Sequence, residues 1–223
     1  MQFSKIIALL TLSFFVTNKN TYGTAPEIIL YNIGYLTSNN YKDKHAKPLS
    51  FPTTNNLRRK NGSPFLAKGE PLVIYGKVVD LADAPIENVK IKIWQANHFG
   101  YYNYLVDKDD YNKHDPDFLS AGYCVTDNTG HYVFTTIMPG FYGLRTPHIH
   151  IIVEHSDFDT IELEMIFPNH PRNKTDPKIS SLKSRERQLI TCQLEDENPD
   201  APNQGKTAIF KIRLNGLHRT RHD

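Results

Sequence analysis

Residues 89–93 read Val-Lys-Ile-Lys-Ile, apolar and cationic side chains in strict alternation. Successive side chains on a strand point to opposite faces, so this pattern suits a sheet with one buried and one solvated face. Val89, Ile91 and Ile93 are then predicted to face inward, with Lys90 and Lys92 facing water. Other short runs rich in β-formers occur at Leu72–Val79, Tyr123–Thr126, His131–Thr136, Ile149–Val153, Ile161–Phe167 and Ile209–Leu214. Turn residues punctuate them, most clearly Asp127-Asn-Thr-Gly130, which predicts a hairpin between the second and third of these runs. Helical periodicity is nearly absent; Ser181–Leu189 is the one stretch that suits a short helix. The fold class that follows is all-β, a β-sandwich of short mixed and antiparallel strands with long loops.

The organisation along the chain is uneven. Residues 1–25 carry one early cation, the apolar run Ile6–Val16, and then Gly23-Thr24-Ala25. This is the layout of a secretory signal, too short to span a bilayer, and it predicts a secreted or periplasmic protein. Residues 26–71 are rich in Asn, Lys and Pro and read as an extended N-terminal arm. Residues 72–215 hold the sandwich, and 216–223 read as a disordered tail. A formal charge of +2 and no long basic run point away from nucleic acid, and no later segment is apolar enough to place the mature form in a membrane. Two cysteines, Cys124 and Cys192, offer at most one disulfide; Cys124 sits in an apolar-alternating stretch, which favours a free core thiol.

Chemistry concentrates in two irregular stretches, 97–120 and 139–147, both bearing tyrosines. Loops this long in a compact β domain are frequently functional. The sharpest local feature is His148-Ile149-His150, entering a strand-like run. Residues two apart on a strand share a face with Cα atoms about 6.6 Å apart, so two imidazoles can converge on one metal. Tyr142 and Arg145 lie just upstream, and Tyr101-Tyr102 follow Trp94-Gln-Ala-Asn97 and Gly100. Taken singly, each tyrosine is equally a packing residue with a bonded hydroxyl.

The ordered set of Ile74-Tyr-Gly-Lys-Val-Val-Asp80, Ile93-Trp-Gln-Ala-Asn97, Gly100-Tyr-Tyr102, Asp115-Pro-Asp-Phe118, Gly122–Asp127, Pro139-Gly-Phe-Tyr142 and Pro147-His-Ile-His150 resembles the intradiol ring-cleavage dioxygenases, in particular the β-chain type of protocatechuate 3,4-dioxygenase. The resemblance runs from about Asn56 to Leu214. It implies a non-haem Fe(III) centre held by Tyr102, Tyr142, His148 and His150, with Tyr142 as the ligand that departs when substrate binds. It implies Arg145 and Tyr142 as catalytic residues, a catechol-type substrate and O2, a cis,cis-muconate-type product, and association as a homo-oligomer. Tyr101 rivals Tyr102, although spacing from the Trp94 motif favours Tyr102.

Three features depart from the family pattern. Tyr142 and His148 are only six positions apart, Leu144 stands where a tryptophan is common, and Glu164 stands where a glutamine is common. A non-catalytic sandwich resembling transthyretin-like or carboxypeptidase-regulatory modules fits the strand motifs equally well, without needing the tyrosines and histidines together. A zinc hydrolase built on His148 and His150 lacks an evident third ligand nearby in sequence.

Overall fold

A computed structural model describes residues 47–196 and 205–215. The signal-like segment 1–25, the first part of the arm (26–46) and the tail 216–223 lie outside the described residues. The regular structure of the described chain is mostly strand, with two short helices and two 3-10 turns. In chain order the strands are β1 (Pro71–Val79), β2 (Lys90–Gln95), β3 (Ala121–Val125), β4 (His131–Ile137), β5 (His148–His155), β6 (Phe158–Ile166), β7 (Gln193–Asp196), β8 (Lys206–Ile209) and β9 (Ile212–Arg213). The helices are α1 (Pro177–Ser181) and α2 (Ser184–Ile190).

They form two sheets. One runs β4-β1-β8-β7, with β9 also paired to β1; the other runs β3-β2-β5-β6. Pairing is antiparallel except where β8 and β9 lie parallel to β1. The alternation at 89–93 has the expected outcome: Val89, Ile91 and Ile93 are buried in the main core, while Lys90 and Lys92 are partly exposed on the other face. Lys92 pairs there with Glu154 at 2.6 Å and lies over the Phe51 ring. Ile149, Ile151 and Val153 of β5 and Leu163 and Met165 of β6 join the same core, opposite Leu72, Ile74, Phe134 and Phe210.

The expected hairpin around Asp127-Asn-Thr-Gly130 is not one. The turn itself forms, with Asp127 Oδ1 accepting from the Thr129 and His131 amides and Gly130 at φ +76°. Its two arms nevertheless join different sheets, β3 pairing with β2 and β4 with β1. Thr126 stays with the β2 edge, exchanging bonds with Val89, whereas Gly130 already accepts from Val78. The turn is therefore the corner of the sandwich. The expected helix over 181–189 is two short helices broken at Leu182 and Lys183, and the run 209–214 divides into β8 and β9 around Phe210 and Lys211. Both cysteines are free thiols, pushed up to about 12 by burial.

The described part of the arm closes one side of the sandwich. Leu57 is fully buried; its amide donates to Thr135 of β4 and its carbonyl accepts from Leu119. Thr53 donates to the Tyr123 hydroxyl on β3 at 2.7 Å. The arm thus covers one edge of each sheet, β4 and β3, which would otherwise be open to chance pairing.

Candidate metal centre on the outer sheet face

Every residue of β5 from His148 to Val153 is buried, although a strand has two faces. The odd-numbered residues enter the sandwich core. The even-numbered ones, His148, His150 and Ile152, face outward and are roofed by loops. Trp94 of β2 and Glu164 of β6 are the cross-strand partners of His150 and therefore share its face. A second apolar cluster of Trp94, Ala96, Tyr102, Ala121 and Ile152, with Phe51 and Tyr142 packed against it, seals this outer surface.

The roofing loops are pinned to each other. Asn97 is fully buried; its side-chain oxygen accepts from the Phe99 and Tyr101 amides, and its amide nitrogen donates to Asn103 and to the Lys113 carbonyl. Its backbone carbonyl accepts from both Gly100 and Gly140, tying the Tyr102 loop to the Tyr142 loop. Gly100, at φ +86°, presses on the Phe141 carbonyl, and Gly140 presses on the backbone of His98 and Gly100. Neither crossing leaves room for a Cβ.

Tyr102 is thereby driven inward until its Oη lies 2.9 Å from His150 Nε2 and 3.5 Å from His148 Nε2. Tyr101 is only half-buried, with Lys113 over its ring, and of the two adjacent tyrosines it is Tyr102 whose hydroxyl reaches the histidine pair. The Tyr142 ring stands edge-on to the Tyr102 ring, centroids 5.2 Å apart, at the mouth of the site. His148 Nδ1 lies 2.7 Å from the Thr146 carbonyl. A carbonyl can only accept, so Nδ1 carries a proton and Nε2 is the nitrogen left facing the site. Burial, then the neighbouring His148, holds His150 well below the usual histidine range, so the His150 imidazole is neutral near pH 7. Neutral imidazoles are what a metal requires of histidine. Donors each about 2.1 Å from one ion stand roughly 3.0–3.4 Å apart, so the observed spacing of Oη and the two Nε2 atoms suits a shared metal ion.

Arg145 is also brought to the site, but it is not isolated there. Its Nε donates to Asp176 at 3.0 Å and its Nη2 to Glu164 at 2.5 Å. Asp176, fully buried, also accepts from the Thr146, Lys178 and Ile179 amides and so caps α1. Burial works against charge on Glu164, yet the surrounding cationic groups outweigh it and hold its carboxyl well below the usual range. Among these groups His150 and His148 come first at the low pH where the carboxyl titrates, followed by Arg145 and Lys178, the latter 2.8 Å from Glu164 Oε1. Glu164, His148 and His150 each offer an atom within 4.8 Å of the others. Beside the site opens a cleft of about 530 Å³ lined in part by Tyr101, Phe141, Tyr142, Leu144 and Arg145.

Sequence reasoning placed no weight on Trp94, Asp176 or Lys178. Trp94 lies in a quoted motif, but nothing in its spacing shows that it meets His150; the other two come from the start of α1, more than 25 positions downstream of the histidines.

The chain has relatives among proteins already described. A family model described as Dioxygenase matches residues 49–216, and the chain belongs to this family of intradiol ring-cleavage dioxygenases. It is 38% identical over 145 residues to the protocatechuate 3,4-dioxygenase β chain of Burkholderia cepacia, covering 61% of this chain and 60% of that one. It is 28% identical over 127 residues to the hydroxyquinol 1,2-dioxygenase of Rhizobium sp., covering 49% and 41% respectively. The chain thus aligns with about three fifths or less of the length of these two relatives. Among solved structures, the intradiol ring-cleavage dioxygenase of Tetranychus urticae superposes with a TM-score of 0.59 at 21% identity, over 78% of this chain and 92% of that one. The last comparison speaks for the fold.

Proposed function

We propose that the protein is a non-haem Fe(III) intradiol dioxygenase. It breaks the bond between the two hydroxylated carbons of a catechol-type ring and leaves both atoms of one O2 in a cis,cis-muconate-type diacid. The observation that carries this reading is the approach of Tyr102 Oη to Nε2 of both His148 and His150. The family membership supplies the reaction class.

Tyr102, Tyr142, His148 and His150 would hold the ion. Hard phenolates favour Fe(III) over Fe(II), and imidazoles complete a set suited to iron. Keeping a tyrosine as phenolate at pH 7 costs about 4 kcal/mol from its reference pKa, a cost that bonding to a trivalent cation offsets. Bound ferric iron supplies the Lewis-acid and redox chemistry that opens a catecholate to O2.

The protein's own groups do the rest. Tyr142 is half-buried at the mouth; as a tyrosinate it would accept a catechol proton and swing clear as the substrate enters. Tyr102, fully enclosed, stays. The cleft beside Tyr142 receives the ring, with Phe141 and Leu144 supplying apolar walls. Arg145 contributes positive charge at the cleft, but Glu164 and Asp176 neutralise much of it. It therefore stabilises negative charge on the substrate less than a lone guanidinium would.

The test is oxygen uptake by iron-loaded protein across a panel of catechols, with 18O2 used to follow the atoms. Two labelled oxygens in a ring-opened diacid support the proposal. No uptake with any catechol, or one labelled oxygen only, contradicts it.

A further inference from the structure

His150 stands in the middle of a row that crosses three adjacent strands. Trp94 of β2 lies flat on its ring, and Glu164 of β6 stands opposite on the other side. The Glu164 carboxylate is fixed from two directions. Oε2 takes Arg145 at 2.5 Å, and Oε1 takes Lys178 at 2.8 Å. That leaves Oε1 facing Nδ1 of His150 at 3.7 Å, while Nε2 of the same ring faces Tyr102 at 2.9 Å.

The contact between Tyr102 and His150 does not by itself settle the imidazole tautomer, because a hydroxyl can donate or accept. A carboxylate facing the other nitrogen biases it electrostatically. An ionised carboxylate only accepts, so a proton on Nδ1 is attracted and a lone pair there is repelled. We propose that Glu164 is a positioning residue whose carboxylate keeps the His150 proton on Nδ1, and thereby directs the Nε2 lone pair at the Tyr102 hydroxyl and at the ion. This rests on the iron site proposed above. The competing possibility is that Glu164 is itself a ligand, together with His148 and His150. Its geometry argues against that, since both oxygens are engaged by cations and the nearer one faces the Nδ1 side of the ring.

A carboxylate behind a ligating histidine also strengthens that histidine as a donor. Exchange of the carboxylate for a neutral amide of the same shape makes the bound iron more electron-poor. Charge transfer from tyrosinate then needs less energy.

Two measurements test the assignment. In metal-free protein, 15N NMR of the imidazoles is expected to show His150 protonated at Nδ1, and Glu164→Gln to weaken that preference. In ferric protein, Glu164→Gln is expected to retain iron with roughly 10–100-fold weaker affinity, and to move the tyrosinate band to longer wavelength. A metal-free wild-type spectrum with the proton on Nε2 overturns the proposal, even where the variant does not fold. An unchanged band and affinity in a folded Glu164→Gln overturn it as well. Complete loss of iron from the folded variant makes Glu164 a ligand and overturns it in favour of that role. If the wild-type chain takes up no ferric iron, the dioxygenase reading fails instead, and the tautomer measurement still decides the part played by Glu164.

Discussion

Trp94 lies flat against His150, ring centroids 4.4 Å apart and planes within 3° of parallel. Phe51 meets the indole edge-on with ring centroids 5.7 Å apart, and the flat stack on Trp94 restrains His150 from tilting away from Tyr102. Trp94→Ala is expected to destabilise the protein by about 3–5 kcal/mol, the usual cost of emptying a buried aromatic site. Trp94→Phe should recover most of that stability yet hold iron less tightly, because the smaller ring leaves His150 free to rock. Equilibrium unfolding in urea and iron titration separate the two effects.

Asp176 joins the segment before β5 to α1. It accepts from Arg145, from the Thr146 amide just before β5, and from two amides at the start of α1. Asp176→Ala leaves a buried guanidinium half-compensated and should cost about 3–5 kcal/mol. The loss should appear in thermal and urea unfolding of metal-free protein, before any effect on turnover is considered.

Stability should depend on pH in a direction set by His150. Its folded pKa lies well below the ordinary value, so between about 6.5 and that lower value the unfolded chain binds a proton that the folded chain does not. Folding stability therefore falls as pH drops through this window, by about 1.4 kcal/mol per pH unit for one proton. Glu164, depressed below the carboxylate range, adds a further loss at still lower pH. Urea midpoints of metal-free protein from pH 7 to 5 should show the first slope. His98 and His170 shift the same way through burial, so the difference between wild type and His150→Gln isolates the contribution of His150.

The crossing of the two tyrosine loops makes Gly140 intolerant of a side chain. A Cβ there runs into the backbone of His98 and Gly100. Gly140→Ala is expected to cost roughly 1–3 kcal/mol, as overpacking generally does. It should also weaken iron-dependent colour out of proportion to that loss, since Tyr102 and Tyr142 are displaced together. Visible absorption at matched folded fraction checks this.

Much of this arrangement was legible in the sequence, and the illegible parts share a cause. The period-two runs gave β1, β2, β5 and β6 to within a few residues, because apolar alternation is a local property. The Asp127-Asn-Thr-Gly130 turn was also legible, but turn chemistry does not say which sheet the next strand joins, so a sandwich corner read as a hairpin. Strand β7, Gln-Leu-Glu-Asp, carries no apolar alternation; it is an edge strand held by backbone bonds to β8. His148, His150, Tyr102 and Tyr142 stood out through motif and spacing. Trp94 and Glu164 join them only through cross-strand register, and Asp176 and Lys178 only through the packing of α1. Neither leaves a trace in a linear string.

The Tyr142 hydroxyl is the one candidate ligand at the open side of the site. Tyr142→Phe should keep its iron, shift the absorption band and slow turnover, because the enclosed tyrosine and both histidines remain. Metal analysis, a visible spectrum and steady-state rates on one preparation suffice to check it.

The most direct test of the central claim is ferric titration of the metal-free chain, followed by visible absorption and metal analysis. One ion per chain and a wine-red tyrosinate-to-iron band are expected, with no iron retained by His148→Ala. A colourless protein that takes zinc but not iron, or a His148→Ala variant with full iron content, would contradict the account.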